Sequence, residues 1–219
     1  MKSEIKGAPS FAYIDVKLSP GESITAEADA MSSMSAEMDM KAVFNGGFFS
    51  GLLKALLGKE SLFVNEFTNN TSDPLRLTLV QATPGDIREI KLNNNAICMQ
   101  PGAYLCSTPG VGLSAAWAGF SSWIGGEGLF KLVASGTGSV WCGAYGGLFE
   151  KKINGEYIVD SGHLVAYDPQ IRLKVRLAGG VFSSFFSGEG LVTRVEGSGN
   201  IILQSRSMSG LRDWLNPKL

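Results

Sequence analysis

An all-β fold built from three tandem modules is predicted by three features of this 219-residue chain. A small-x-Glu-small-Leu pentapeptide recurs, short stretches alternate apolar with charged residues, and glycine-bearing or proline-bearing turns separate them. The pentapeptides are Gly58-Lys59-Glu60-Ser61-Leu62, Gly125-Gly126-Glu127-Gly128-Leu129 and Ser187-Gly188-Glu189-Gly190-Leu191. Each follows an aromatic, glycine-bearing stretch, at Asn45 to Phe49, Ala118 to Trp123 and Ala178 to Phe182. Each unit also opens on a turn, at Ser19-Pro20-Gly21, Gln100-Pro101-Gly102 or Ser161-Gly162, and closes on a strand that runs into Gly85, Gly147 or Gly210. The modules are expected at residues 10–85, 86–147 and 148–210, related by pseudo-threefold symmetry and folding as one cooperative domain.

The elements follow in chain order. Met34 to Ala42 alternates methionine and alanine with charges, as a half-buried strand does, although methionines at 31, 34 and 38 also fit a helical stripe. The repeat register favours the strand. Phe48 to Leu57 carries Phe48, Leu52, Leu53, Leu56 and Leu57 on one helical face, an insertion confined to the first unit. Leu75 to Val80, Ser139 to Cys142 and Asn200 to Gln204 hold residues that strands prefer and close the three units. In Ile171 to Leu177 every second residue is apolar and the rest are basic, so one face is buried. A short helix over Ser209 to Leu215 is expected to dock as a cap before Pro217 stops it.

Composition narrows the function classes. With 44% hydrophobic and 18% charged residues the chain buries a core and is not disordered. It contains no apolar run of membrane-spanning length. The net charge of −1 supplies no global field for nucleic acid or anionic lipid. Three widely spaced cysteines and a start without the apolar core of a secretory signal lead us to expect a reducing cytoplasm.

Four segments then carry a family resemblance: Thr83 to Leu92, the GGEGLF of Gly125 to Phe130, Ser161 to Tyr167, and Gln204 to Ser207. Together, over nearly the whole chain, they resemble the bacterial relatives of the altered-inheritance-of-mitochondria (mitochondrial biogenesis) family, a family of largely unknown function. The resemblance implies a double-stranded β-helix like that of the tryptophan-attenuator RNA-binding protein (TRAP), present three times per chain, in chains that associate as trimers. Eukaryotic members are associated with mitochondrial inner-membrane organisation. The chain departs from the family in stopping soon after Trp214, where members often carry a longer tail.

Candidate chemistry is sparse. One histidine, His163, at the start of an expected strand through Tyr167, cannot supply the two or three imidazoles of a cupin-type metal site. Cys98, Cys106 and Cys142 lack C-x-x-C spacing and read as small core residues. No metal and no cofactor is expected. Glu60, Glu127 and Glu189 would form a ring of carboxylates about a pseudo-threefold axis, but a glutamate between small residues is more simply a turn-fixing acceptor. Arg172, Lys174 and Arg176 share one strand face and make the best anion or nucleic-acid contact, a reading outweighed by that of a solvated or salt-bridged ridge. Phe48, Phe49, Leu52, Leu53, Leu56, Leu57, Phe120, Trp123, Phe185 and Phe186, with Phe182, are the expected interface with another chain or a membrane-associated partner.

A non-catalytic homo-oligomeric scaffold or binding module, not an enzyme, is the expected function. The alternatives are a nucleic-acid-binding ring protein acting through the basic strand face, and a small-ligand protein or enzyme whose cleft the sequence does not advertise.

Overall fold

The computed structural model describes residues 1–44, 63–100, 102–117, 130–177 and 191–216. The expected helix Phe48 to Leu57 and the turns at Glu60, Glu127 and Glu189 lie outside them. The described residues are all-β apart from one short helix and one 3-10 turn, with antiparallel strand pairing throughout.

In the first third, β1 (Lys2–Lys6), β2 (Tyr13–Leu18), β3 (Ser23–Glu27), β4 (Met31–Met34), β5 (Asp39–Phe44), β6 (Phe63–Thr68) and β7 (Leu75–Val80) are short. Alternation decides their faces. Ile14, Val16 and Leu18 on β2 lie opposite Leu79, Leu77 and Leu75 on β7, and all six are buried. β1, β2, β7 and β4 make a four-stranded sheet in that order, while β3, β6 and β5 end a larger one. Between these sets the chain breaks at Pro20 and Pro74, which have no N–H to donate to a ladder. Asn69 holds the break together. Its buried Nδ2 donates to the Leu18 carbonyl at 3.0 Å and the Asp73 carbonyl at 2.8 Å, and its Oδ1 accepts from the Thr71 N–H at 2.9 Å.

The next third is β8 (Ile87–Met99), β9 (Tyr104–Ser107), β10 (Val111–Trp117) and β11 (Phe130–Gly143). β8 lies along β11, β10 pairs with the first half of β11, and β9 pairs with its second half. The last third is β12 (Leu148–Asp160), a 3-10 turn (Ser161–His163), β13 (Leu164–Tyr167), β14 (Arg172–Leu177) and β15 (Leu191–Gln204). Here too β12 lies along β15, β14 pairs with its first half, and β13 with its second. The long strands bend without breaking, because residues that tolerate positive φ sit midway: Gly136 in β11, where the register shifts, and Gly155 opposite Gly197 in the last hairpin. The thirds join edge to edge, β3 to β9 and β8 to β13.

Apolar clusters ignore these boundaries. Trp141, Leu105 and Ile87 pack into the cluster under β2 and β7, Val64 and Ile202 meet around Met99 and Tyr104, and Cys98 joins Ile153, Tyr167 and Ile201. Burying such side chains contributes roughly 1.5–3 kcal/mol each.

Several sequence expectations need correction. Met34 to Ala42 is not one strand but a corner between β4 and β5, because Ser35 bonds the Arg76 backbone in both directions, its N–H donating at 2.9 Å and its Oγ accepting at 3.0 Å. The Ser19-Pro20-Gly21 turn joins β2 to β3, whereas Gln100 to Gly102 and Ser161-Gly162 precede β9 and β13. By pairing, the first-third turn of that kind is Ala28 to Ala30, with Asp29 at φ 67°. His163 ends the 3-10 turn and does not open the strand. The C-terminal helix α1 (Met208–Leu215) forms as expected, capped by Ser207 Oγ, which accepts from the Gly210 N–H. Trp214 is 60% exposed, and Met208 and Leu215 on the same helix are exposed too.

Candidate functional site

Three hairpins organise the candidate surface. β5 pairs with β6, β10 with β11 and β14 with β15, and their last described pairs are Phe44 with Phe63, Trp117 with Phe130 and Leu177 with Leu191. Among the described residues, β5, β10 and β14 each pair on one side alone. The chain between the members of each hairpin carries the expected interface residues Phe48, Phe49, Leu52, Leu53, Leu56 and Leu57, then Phe120 and Trp123, then Phe182, Phe185 and Phe186. All of these lie outside the described residues, as do Glu60, Glu127 and Glu189.

The basic strand face is partly neutralised. Arg172 and Lys174 are exposed on β14, and Arg176 lies further along the same strand. β14 runs against β15 with Arg172 opposite Glu196 and Lys174 opposite Arg194. Lys174 Nζ reaches Glu196 at 2.7 Å, and Arg194 reaches Glu156 at 3.0 Å. A ridge laced with carboxylates offers a phosphate backbone less than three free cations would.

Nucleophile chemistry is not prepared at the cysteines. All three are free and buried. Burial pushes the Cys142 thiol up to about 12 and the Cys106 thiol well above its ordinary range. Cys98 is raised by burial too, with Lys131 opposing the shift. Such groups are protonated at neutral pH, and the thiolate is the nucleophile. His163 is half-buried with Nδ1 2.7 Å from the Gln204 carbonyl, placed to donate to it, and this ties the 3-10 turn to the end of β15. No group of three metal-ligating side chains occurs among the described residues. No helix among them is long and apolar enough to cross a membrane.

A junction of strand ends was missed by the sequence reasoning. β7, β11 and β15 finish at Val80, Gly143 and Gln204, and the segments that follow are stitched together. Gln81 Nε2 donates to the Ala144 carbonyl at 2.9 Å, the Tyr145 N–H donates to Gln204 Oε1 at 2.9 Å, and Gln204 Nε2 donates to the Gly162 carbonyl at 2.8 Å. Gly85 forms a bridge to Gly146, and the Ser205 N–H donates to the Gly147 carbonyl. A faint signal existed: Val80-Gln81 and Leu203-Gln204 both close a unit on an apolar residue followed by glutamine. Phe149 and Ile158 on β12 are also exposed, at 47% and 59%, and were not singled out.

Comparison with known proteins places these features. The family model described as mitochondrial biogenesis AIM24 matches residues 3–206. An uncharacterised protein of Streptococcus pyogenes serotype M6 is 24% identical over 219 residues, spanning 95% of this chain and 87% of that protein. A crystal structure of a Streptococcus pyogenes protein, a structural-genomics target, superposes with a TM-score of 0.80 at 22% identity, covering 100% of this chain and 99% of that one. At that identity the likeness speaks for the fold.

Proposed function

This chain belongs to the mitochondrial biogenesis AIM24 family, whose function is unknown, and from that premise we propose that it is a non-catalytic homo-oligomeric scaffold, assembled as a trimer, that presents surfaces to protein or membrane-associated partners in the cytoplasm. The observation that carries the reading is the set of three hairpin strands, β5, β10 and β14, each paired on one side alone among the described residues. Open strand edges are sites of further pairing unless covered, and each leads toward aromatic or leucine-rich sequence. In this reading the modules are residues 10–85, 86–147 and 148–210, TRAP-like double-stranded β-helices about a pseudo-threefold axis. The shared pairing order of β8–β11 and β12–β15 supports it, as does its interrupted counterpart in β2–β7. Catalysis is left out because the described thiols are protonated and His163 is engaged with backbone.

Light scattering at low micromolar concentration tests the scaffold. The wild type should be a trimer, and Leu52→Glu or Leu56→Glu should shift it toward monomer while leaving the far-ultraviolet β spectrum unchanged. A monomeric wild type, with partner binding unaltered in the variants, removes the reading. Nucleic-acid binding is a weaker second reading, since the Lys174–Glu196 pair occupies one of its three cations.

A further inference from the structure

The thirds of the chain join by a rule that the last of them leaves unfinished. In each third a strand is followed, after a short turn, by a strand of 4 residues: β3 by β4, β8 by β9 and β12 by β13. The three short strands sit alike on their own hairpins. Each sets its first, third and fourth residues against three consecutive residues of β7, β11 or β15, so that Met34, Ser107 and Tyr167 are equivalent. The two joins within the chain use these positions. Ser107 of β9 lies opposite Thr25 of β3, and Tyr167 of β13 lies opposite Cys98 of β8. Counted back from the start of the following short strand, Thr25 and Cys98 are equivalent, and the residue at that position of β12 is Ile158.

Burial separates the joined members from the unjoined. β9 and β13, paired on both sides, are buried at every residue, whereas β4, at the end of its sheet, has Ser32 and Ser33 exposed and Met31 and Met34 only half-buried. Cys98 is buried in the apolar cluster of the third that it joins, whereas Ile158, on the terminal strand β12, is 59% exposed. Both halves of a third join are present, and among the described residues the chain pairs neither with the other. We propose that a second copy of this chain completes it: the end of β12 of one copy pairs antiparallel with β4 of the next, Ile158 opposite Met34, and Ile158 enters the cluster of the first third beside Met31 and Met34. This join rests on the homo-oligomeric reading proposed above and gives it an interface. The two surfaces differ, so the contact is head-to-tail, and the trimer is the ring that three such contacts close. Each contact covers two open strand edges and takes a large apolar side chain out of water.

Disulfide trapping tests the pairing directly, because opposed residues of antiparallel strands hold their Cα atoms about 4.5–5.5 Å apart, within reach of a disulfide. Met34→Cys and Ile158→Cys are placed in separate full-length chains that carry different tags and are co-expressed; the native Cys98, Cys106 and Cys142 are buried. Mild oxidation should link the two kinds of chain to each other, while either variant expressed alone stays unlinked. Ile158→Glu, at a position exposed in the single chain, should shift light scattering from trimer to monomer and leave the far-ultraviolet β spectrum unchanged. Linkage in Ile158→Cys alone would mean that β12 pairs with its own copy and would overturn the assignment, as would an assembly unmoved by Ile158→Glu. A trimer without the mixed disulfide overturns this join and leaves the scaffold standing, whereas a monomeric wild type removes both.

Discussion

The first and last thirds of the chain make the same bend by opposite means. In the last third β12 and β15 run thirteen residues side by side and turn through Gly155 and Gly197 without losing a pair. In the first third the bend is a break: β2 stops before Pro20, β7 starts after Pro74, and Asn69 replaces the missing ladder bonds with side-chain bonds. A bend made of glycine depends on backbone conformation at single points. A bend made of a break depends on one buried polar side chain, whose loss strands several partners at once. The edges differ as well. β1 covers the outer side of β2, whereas β12 is the terminal strand of its sheet.

The sharpest way to break this comparison is Asn69→Ala. It leaves the buried Leu18 carbonyl without its side-chain donor and the Thr71 N–H without its acceptor, while the exposed Asp73 carbonyl keeps the Thr71 hydroxyl at 3.0 Å, and should destabilise the fold by about 3 kcal/mol. Urea unfolding followed by Trp fluorescence measures it, and a cost below about 1 kcal/mol would mean that the break is held by something else.

Gly197→Ala should come next, at about 2 kcal/mol, because φ is +133° and an added Cβ would meet the Gln170 carbonyl oxygen at 3.2 Å. Gly21→Ala, in the broken bend, should cost about 1 kcal/mol: its φ of +77° is unfavourable, but no atom lies within 4 Å of the new Cβ. Equal costs for the two glycines would erase the distinction between the bends.

The smallest expected effect concerns acid. Asp15 on β2 is held below its ordinary 3.8 chiefly by a hydrogen bond from Lys6 on β1, aided by the charges of Lys6 and Arg76. A carboxyl depressed in the folded state contributes stability above its unfolded pKa, and this is lost as pH falls through the folded value. Amide exchange in β1 should therefore accelerate below about pH 4, and Asp15→Asn should flatten that dependence. Added salt should shrink the difference between the two, since the pair is near the surface.

What was legible in the sequence is what one face of a strand decides. Leu75 to Val80 and Ile171 to Leu177 alternate because one side of each is buried, and both are strands. The corner at Ser35 was illegible because it is fixed by Arg76, far away in sequence, while the local alternation runs straight through it. α1 was readable as a short stretch stopped by Pro217, but its Ser207 cap and its docking were not, since amphipathicity says that a face is apolar and not what covers it. The glutamine junction was illegible for the same reason as the corner: its members belong to three separate strand ends. The expected interface at Phe48 to Leu57, Phe120, Trp123, Phe185 and Phe186 falls outside the described residues, so the fold was far more readable than the surface.

Gly143 and Gln81 have a consequence for how such a sequence can change over generations. An ideal Cβ on Gly143 would overlap Gln81 Oε1, so the two positions share room for a single side chain. A side chain at 143 requires the end of Gln81 to swing away from its bond to the Ala144 carbonyl, and a smaller residue at 81 frees room beside 143. Across descendants of this chain the two columns should therefore vary together, large with absent and absent with large, although 62 positions of sequence separate them.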